Sequence, residues 1–462
     1  MTSWHLKEWV EHIVPKEMRT GKLPGLSLAV MQDGKTLYAE GFGSRDREKN
    51  LPTTPDTLFG IGSITKSFVA IAIMQLVERG EIELKDPVSM YTPIRLGLKE
   101  NPITIHHLLT HSLGVPSLGT SSVAFYKAVG YDTGIPFGSP DDFYRLLNGA
   151  GDEVVDAPGK RFFYHNAAWR VLGHVIQSKT GEPFHRYIKE NIMKPLGMKR
   201  STLNTAEFNS DPNRITCYWK KPDGSVVPTE FPYPNPEDNL SFSFLAAAGG
   251  VTSSSNEMSL YIDALINKEP TLISPESHEK MQTLHIRRPD GYYGEFGYGY
   301  GLCITPDFHG YKMVSHGGSI LVSTAHMSMV PENKTGVIIM GNSSKVAYEA
   351  INESILSLLM GLDPEESTPE LVIKKRLRDL TGKYETYMGI ESVDVTYRAG
   401  LLYLESESPF EKTRIPLIPE DPTLEETVFN IIVDGTKSPV VFEKKEGGVD
   451  LYVERYCYHR AP

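Results

Sequence analysis

FGIGSITKSFVAIAIM, residues 59–74, sets Ser63 and Lys66 three positions apart at the mouth of an apolar run. From Val69 onward almost every residue is hydrophobic, which predicts a helix wetted at its start and buried all round thereafter. Ser63 then lies where solvent ends and the core begins. A hydroxyl at a helix N-terminus faces unpaired N–H groups and the positive end of the macrodipole, both of which favour developing negative charge. Three-residue spacing puts Lys66 on the same face. Burial against an apolar wall pushes a lysine towards neutrality, and a neutral lysine can take the proton of a serine nucleophile. Ser277 and Lys280 repeat the spacing in polar surroundings with no buried run behind them, so spacing alone does not define the site.

Working outward, LPGLSLAVMQDGKTLYAEGFGSRD, residues 23–46, alternates around Asp33-Gly34 and predicts a β-hairpin. The apolar helix follows and ends near Gly80. Residues 87–250 read as mostly helical with many loops. GEFGYGYGLCI and YKMVSHGGSILVSTAHMSMVPENKTGVIIMGN read as three strands, with Glu332–Lys334 as a hairpin tip and a last helix over Ala347–Gly361. Strands at both ends with helices between give an α+β domain. DPEESTPE, 363–370, reads as a linker. Beyond it, period-two alternation between glycine-containing turns predicts a small all-β barrel. The expected domains are 1–365 and 366–462.

The chain has 462 residues and a formal net charge of −11, with no basic block interleaved with aromatics, which disfavours nucleic acid as a partner. No apolar stretch reaches membrane-spanning length. The first residues form an amphipathic helix without the features of a signal peptide. Cys217, Cys303 and Cys457 are odd in number and far apart, which argues against a disulfide framework and for a cytoplasmic protein. His107 and His111 have the spacing of two zinc ligands on one helical face. Without an intervening glutamate or a third ligand they read as structural histidines, and neither metal nor cofactor is expected.

Two further motifs supply polar groups. Tyr164-His165-Asn166 precedes an amphipathic helix; its tyrosine can carry a proton beside Lys66, whose positive charge would lower the phenol's pKa, and Asn166 can hold Lys66 or a substrate amide. Tyr233 and Asn235 form a decoy for it in a proline-rich loop. His316-Gly317-Gly318-Ser319 reads as part of an edge strand along which a substrate backbone could pair, or else as a plain strand-to-turn break. The N–H groups of Ser63 and Ser319 would form an oxyanion hole.

Ser-x-x-Lys, Tyr-x-Asn and His-x-Gly in this order resemble the motif set of the serine β-lactamase-like family, which includes class C β-lactamases, D,D-peptidases, D-aminopeptidases and related esterases. The resemblance extends over roughly residues 20–345. It implies an acyl-enzyme on Ser63, with Lys66 and Tyr164 sharing the proton work and Asn166, His316, Gly317 and Gly318 binding substrate. Penicillin-recognising members usually carry lysine where this chain has His316, which weakens a carboxylate clamp there. The added β-domain resembles that of self-compartmentalising archaeal serine peptidases, whose lipocalin-like domain builds a hollow octamer; D-aminopeptidases also carry such barrels. These resemblances imply a serine peptidase of short peptides, D-residues among them, working as a homo-oligomer, with a carboxylesterase as the alternative and a non-catalytic scaffold as the reading from another class.

Overall fold

The computed structural model describes residues 3–97, 100–128, 131–221, 223, 225–343, 346–407 and 411–461. Met1, Thr2 and Ser408, at the ends of segments read above as helix and strand, lie outside them. The chain divides into two compact units, Met1–Gly361 and Leu362–Pro462.

The first unit is built on a nine-stranded antiparallel sheet. Across it run Leu51–Pro52, Lys35–Asp46, Gly25–Gln32, Thr335–Gly341, Thr324–Val330, Tyr311–Ser319, Cys303–Phe308, Gly297–Tyr298 and Ile286–Arg287. The N-terminal hairpin therefore pairs with the strand nearest the unit's C-terminal end, Leu26 opposite Gly341 and Gln32 opposite Thr335. This closure between distant segments places helices from both ends on the sheet: Trp9 in the helix Ser3–Gly21 donates to Ser354 Oγ (3.1 Å) in the helix Tyr348–Leu359. The segment read as three strands forms five, because Gly297–Tyr298 and Cys303–Phe308 each pair before the long run begins.

The helix Thr65–Glu78 is buried from Thr65 through Leu76, as its composition demands. It packs against the helix Asn166–Thr180 and the 3₁₀ segment Leu240–Ala248. The region 87–250 is helical and loop-rich as read, and Cys217–Lys220 pairs with Val226–Thr229 in a hairpin.

In the second unit the segment read as a linker is helical, over Pro364–Ser367 and Pro369–Asp379. Each helix begins with proline at its first position, where the missing N–H is an orphan anyway and the fixed φ suits a helix, and Asp363 caps the first by accepting the Glu365 N–H. Eight antiparallel strands from Gly382 to Arg460 then close into a barrel, first strand on last through Tyr384 and Arg460. Its core holds Tyr384, Leu402, Leu417, Phe429, Phe442 and Leu451.

Candidate active site

Ser63 sits in the 3₁₀ turn Gly62–Ile64 that runs straight into the buried helix. Gly62 has φ +52°, and a Cβ on it would lie 2.5 Å from Ser319 N. A Cβ on Gly318 would collide with Ile61 O and Ser63 N. These two glycines therefore let the nucleophile turn and the end of the strand Tyr311–Ser319 lie backbone to backbone. That contact puts the Ser63 and Ser319 amides side by side.

This strand is not an edge strand, as the sequence suggested. It pairs on both sides, but the neighbour Cys303–Phe308 stops pairing at Ser315, so residues 316–319 overhang it. Of its two glycines, Gly318 serves the approach of the protein's own nucleophile turn, whereas Gly317 faces the His326 side chain. His316 is buried and faces inward: Nδ1 lies 2.6 Å from Gly317 O, so it carries the proton, and Nε2 accepts from Tyr298 Oη at 2.8 Å. Burial pulls its pKa down to about 3. The side chain is thus neutral at pH 7 with both nitrogens engaged.

Lys66 is fully buried. Its Nζ lies 3.0 Å from Ser63 Oγ, 2.8 Å from Asn166 Oδ1 and 2.7 Å from Ala248 O. Desolvation, reinforced by the charge of Arg170, lowers its pKa well below the ordinary value of 10.5. A neutral amine here donates its two protons to Asn166 and Ala248, and its lone pair is left for the Ser63 hydroxyl.

Tyr164 contacts Ser63 by hydrogen bonding, yet burial dominates and raises its pKa. The reading that Lys66 would lower this pKa is corrected: a buried neutral lysine supplies no charge to stabilise phenolate, and desolvation decides. Lys66 Nζ lies 4.9 Å from the Tyr164 ring centroid. The His111 ring stacks on that ring with centroids 4.3 Å apart. His111 Nδ1 accepts the His165 N–H (2.8 Å), its Nε2 lies 3.0 Å from Trp169 Nε1, and burial holds its pKa well below 6.5. His107 Nδ1 accepts the Thr104 N–H at 3.1 Å. Both histidines of the apparent zinc spacing are thereby engaged by the protein. Of the decoys, Lys280 pairs with Glu276 (2.8 Å) and Ser277 with Ser274 (3.2 Å) on another helix.

A cavity of about 800 Å³ opens beside Ser63, with Asn166, Arg170 and Ser319 among its polar lining and Phe125, Phe137, Trp219, Phe231 and Tyr233 among its aromatic lining. The loop dismissed as a decoy, Tyr233 to Asn235, is part of its wall. Sequence reading also missed the Ala248 carbonyl and Arg170. A main-chain acceptor leaves no mark in sequence, whereas Arg170 was visible as one charge among Ala167, Ala168, Trp169, Val171 and Leu172, four residues after Asn166.

Low histidine pKa values tie stability to pH. His316 titrates at about 3 and His106 and His165 at about 4, against 6.5 when unfolded. Below pH 6.5 the unfolded chain takes up protons the folded one refuses, so stability falls as pH drops towards 4, by about 1.4 kcal/mol per unit per histidine. Thermal unfolding between pH 7 and 4.5 should show this decline, and His106→Gln, away from Ser63, should make it shallower.

Residues 10–359 match the β-lactamase family, and the chain belongs to that family of serine hydrolases. Residues 364–459 match the Pab87 octamerisation domain. The whole chain is similar to an octameric penicillin-binding protein homologue from Pyrococcus abyssi, with 36% identity and a TM-score of 0.90 over 99% of this chain and 100% of the other. It is 26% identical to Protein flp of Staphylococcus aureus (strain MW2) over 342 residues, 73% of this chain, and so spans 63% of that relative's length. Esterase EstB of Burkholderia gladioli is 35% identical over 205 residues, 43% of this chain and 52% of its own. Among the described residues no helix is long and apolar enough to cross a membrane.

Proposed function

We propose that the protein is a serine peptidase that hydrolyses amide bonds of short peptides, D-residues among those accepted, through an acyl-enzyme on Ser63. The observation that carries this reading is the buried Lys66 Nζ held 3.0 Å from Ser63 Oγ with its other partners fixed. Neutral Lys66 takes the Ser63 proton as Oγ attacks the substrate carbonyl. The Ser63 and Ser319 N–H groups receive the oxyanion. Tyr164, kept protonated by burial, gives its proton to the leaving amine, and the proton on Lys66 restores it. In the second half, Lys66 accepts a proton from water, hydroxide attacks the ester, and the proton passes to the departing Ser63 Oγ. Lys66 is the first base in this scheme and Tyr164 the acid.

A second reading, carboxylesterase, is favoured by the identity to Esterase EstB and by the aromatic cavity. An ester needs less help with its leaving group than an amide. Comparing D- and L-aminoacyl amides, short peptides and aryl esters, with Ser63→Ala as control, separates the two. Amide turnover lost in the variant supports the peptidase; ester turnover alone moves the function to the second reading.

Free Cys217, Cys303 and Cys457 support a reducing, cytoplasmic setting. Assembly into a homo-oligomer, an octamer as in the Pyrococcus abyssi protein, is proposed from the matched C-terminal domain and that similarity. In the barrel unit Tyr387, Met388 and Ile390 are 78%, 82% and 75% exposed, more than single-chain solubility favours for neighbouring large apolar side chains. Changing all three to serine should lower the mass in solution measured by light scattering; an unchanged mass places the contact elsewhere.

A further inference from the structure

We propose that Arg170 forms a carboxylate-binding subsite in the cavity beside Ser63, so that substrates bearing a carboxylate one or two residues from the scissile bond are preferred to neutral ones. This rests on the reading of that cavity as the active site of a serine hydrolase.

Arg170 is 2% exposed, yet it is counted among the residues that line the cavity. Its Nε and Nη1 have no hydrogen-bond partner among the described residues. A guanidinium stays charged at any physiological pH, and burying it unpaired is among the more unfavourable things a fold can do. The groups within electrostatic reach do not neutralise it. Tyr233, the opposing group, is a phenol kept protonated by burial, while Lys66 and His165 are themselves bases. His165 Nδ1 accepts the Ala168 N–H, which leaves its buried Nε2 a second donor without a partner. The cavity's carboxylates, Glu230 and Asp238, are exposed.

The position suits substrate recognition. Arg170 follows Asn166 by one helical turn, so the two side chains leave the same face about 5–6 Å apart. Asn166 holds Lys66 at 2.8 Å, and Arg170 lines the same cavity as Asn166 and Ser63. Its guanidinium also lies 5.5 Å from the centroid of Phe137, a cavity wall that fixes the planar fork. An unneutralised guanidinium in this wall attracts a carboxylate, and neutral His316 leaves that role unfilled. The carboxylate can be a peptide C-terminus or an acidic side chain.

The test uses two matched substrate pairs on the full chain: a short N-acyl peptide with a free C-terminus against its C-terminal amide, and a peptide amide with a Glu against a Gln side chain. At least one pair should favour the carboxylate in kcat/KM by about 10–100-fold, the range of a charged hydrogen bond. The favoured pair identifies the source. Arg170→Met should collapse that ratio to near unity, and Arg170→Lys should retain part of it. No preference in either pair, a preference undiminished in Arg170→Met, or equal loss on both members of a pair overturns the subsite. Should Arg170→Met fail to fold, competitive inhibition of the unaltered protein decides: product carboxylates should bind at least about tenfold better than their amides, and equal binding overturns the proposal. A serine-directed fluorophosphonate run in parallel separates the two levels, since labelling of Ser63 upholds the hydrolase reading even where the Arg170 preference is absent.

Discussion

Lys66→Met is expected to lower kcat by about 10²–10⁴-fold with little change in KM, the usual effect of removing a general base. The Lys66 amine lies behind Ser63, bonded to Asn166 and Ala248, and is absent from the cavity lining, so substrate affinity should hardly sense the change. The pH profile carries a sharper expectation. Desolvation keeps the folded Lys66 pKa well below 10.5, so the base form predominates far below the pH at which an exposed lysine loses its proton. Activity should therefore fall on the acid side as Lys66 takes up a proton, and that limb should vanish in the variant. Stability obeys the same inequality. Between the folded pKa and 10.5 the unfolded chain binds a proton the folded one does not, so stability rises with pH across that window, and Lys66→Met should flatten the rise. Steady-state kinetics on an aryl ester and thermal unfolding between pH 7 and 10 read both; an unaltered acid limb in the variant would assign the base elsewhere.

Gly318→Ala should be nearly as damaging, by a different route. The added methyl meets main-chain atoms, Ile61 O and Ser63 N, which have no rotamer to yield. Either the strand or the nucleophile turn must move, and both carry an oxyanion N–H. The expected loss is about 10²–10³-fold in kcat, the scale of a missing oxyanion donor, together with a destabilisation of about 1–3 kcal/mol from overpacking. Gly317→Ala provides the contrast. Its methyl would approach His326 Cδ2 at 3.1 Å, a side-chain contact that can relax by a few tenths of an ångström. Its kcat should stay within about tenfold of the unaltered protein, since no oxyanion donor moves. Equal effects of the two substitutions would contradict the backbone-to-backbone account of the site.

How far the sequence reaches can be judged residue by residue. Ser63 and Lys66 were legible because a helix buried on every side is rare and a serine and lysine at its mouth are chemically paired. The alternating C-terminal segments were legible because period two admits few folds. Pairing partners were less so. The strand Tyr311–Ser319 looked like an edge because its glycines suggested an open flank, whereas the sheet continues beyond it through three strands, Cys303–Phe308, Gly297–Tyr298 and Ile286–Arg287, the last two too short to show a pattern of their own. The helices of the segment 363–370 were missed because prolines break helices internally yet start them at the first position. Protonation was misjudged at Tyr164 because nearness to a lysine was legible and burial of that lysine in the neutral form was only half weighed. The Tyr233 loop and the Ala248 carbonyl reach the site through tertiary packing, which spacing in sequence does not encode.

The most direct test is intact mass and peptide mapping after exposure of the full chain to a fluorophosphonate. One adduct per chain on Ser63, absent in Ser63→Ala and slowed in Lys66→Met, is the predicted result. No adduct, or one on Ser277 or another serine, would contradict the assignment of Ser63 as the nucleophile and with it the proposed function.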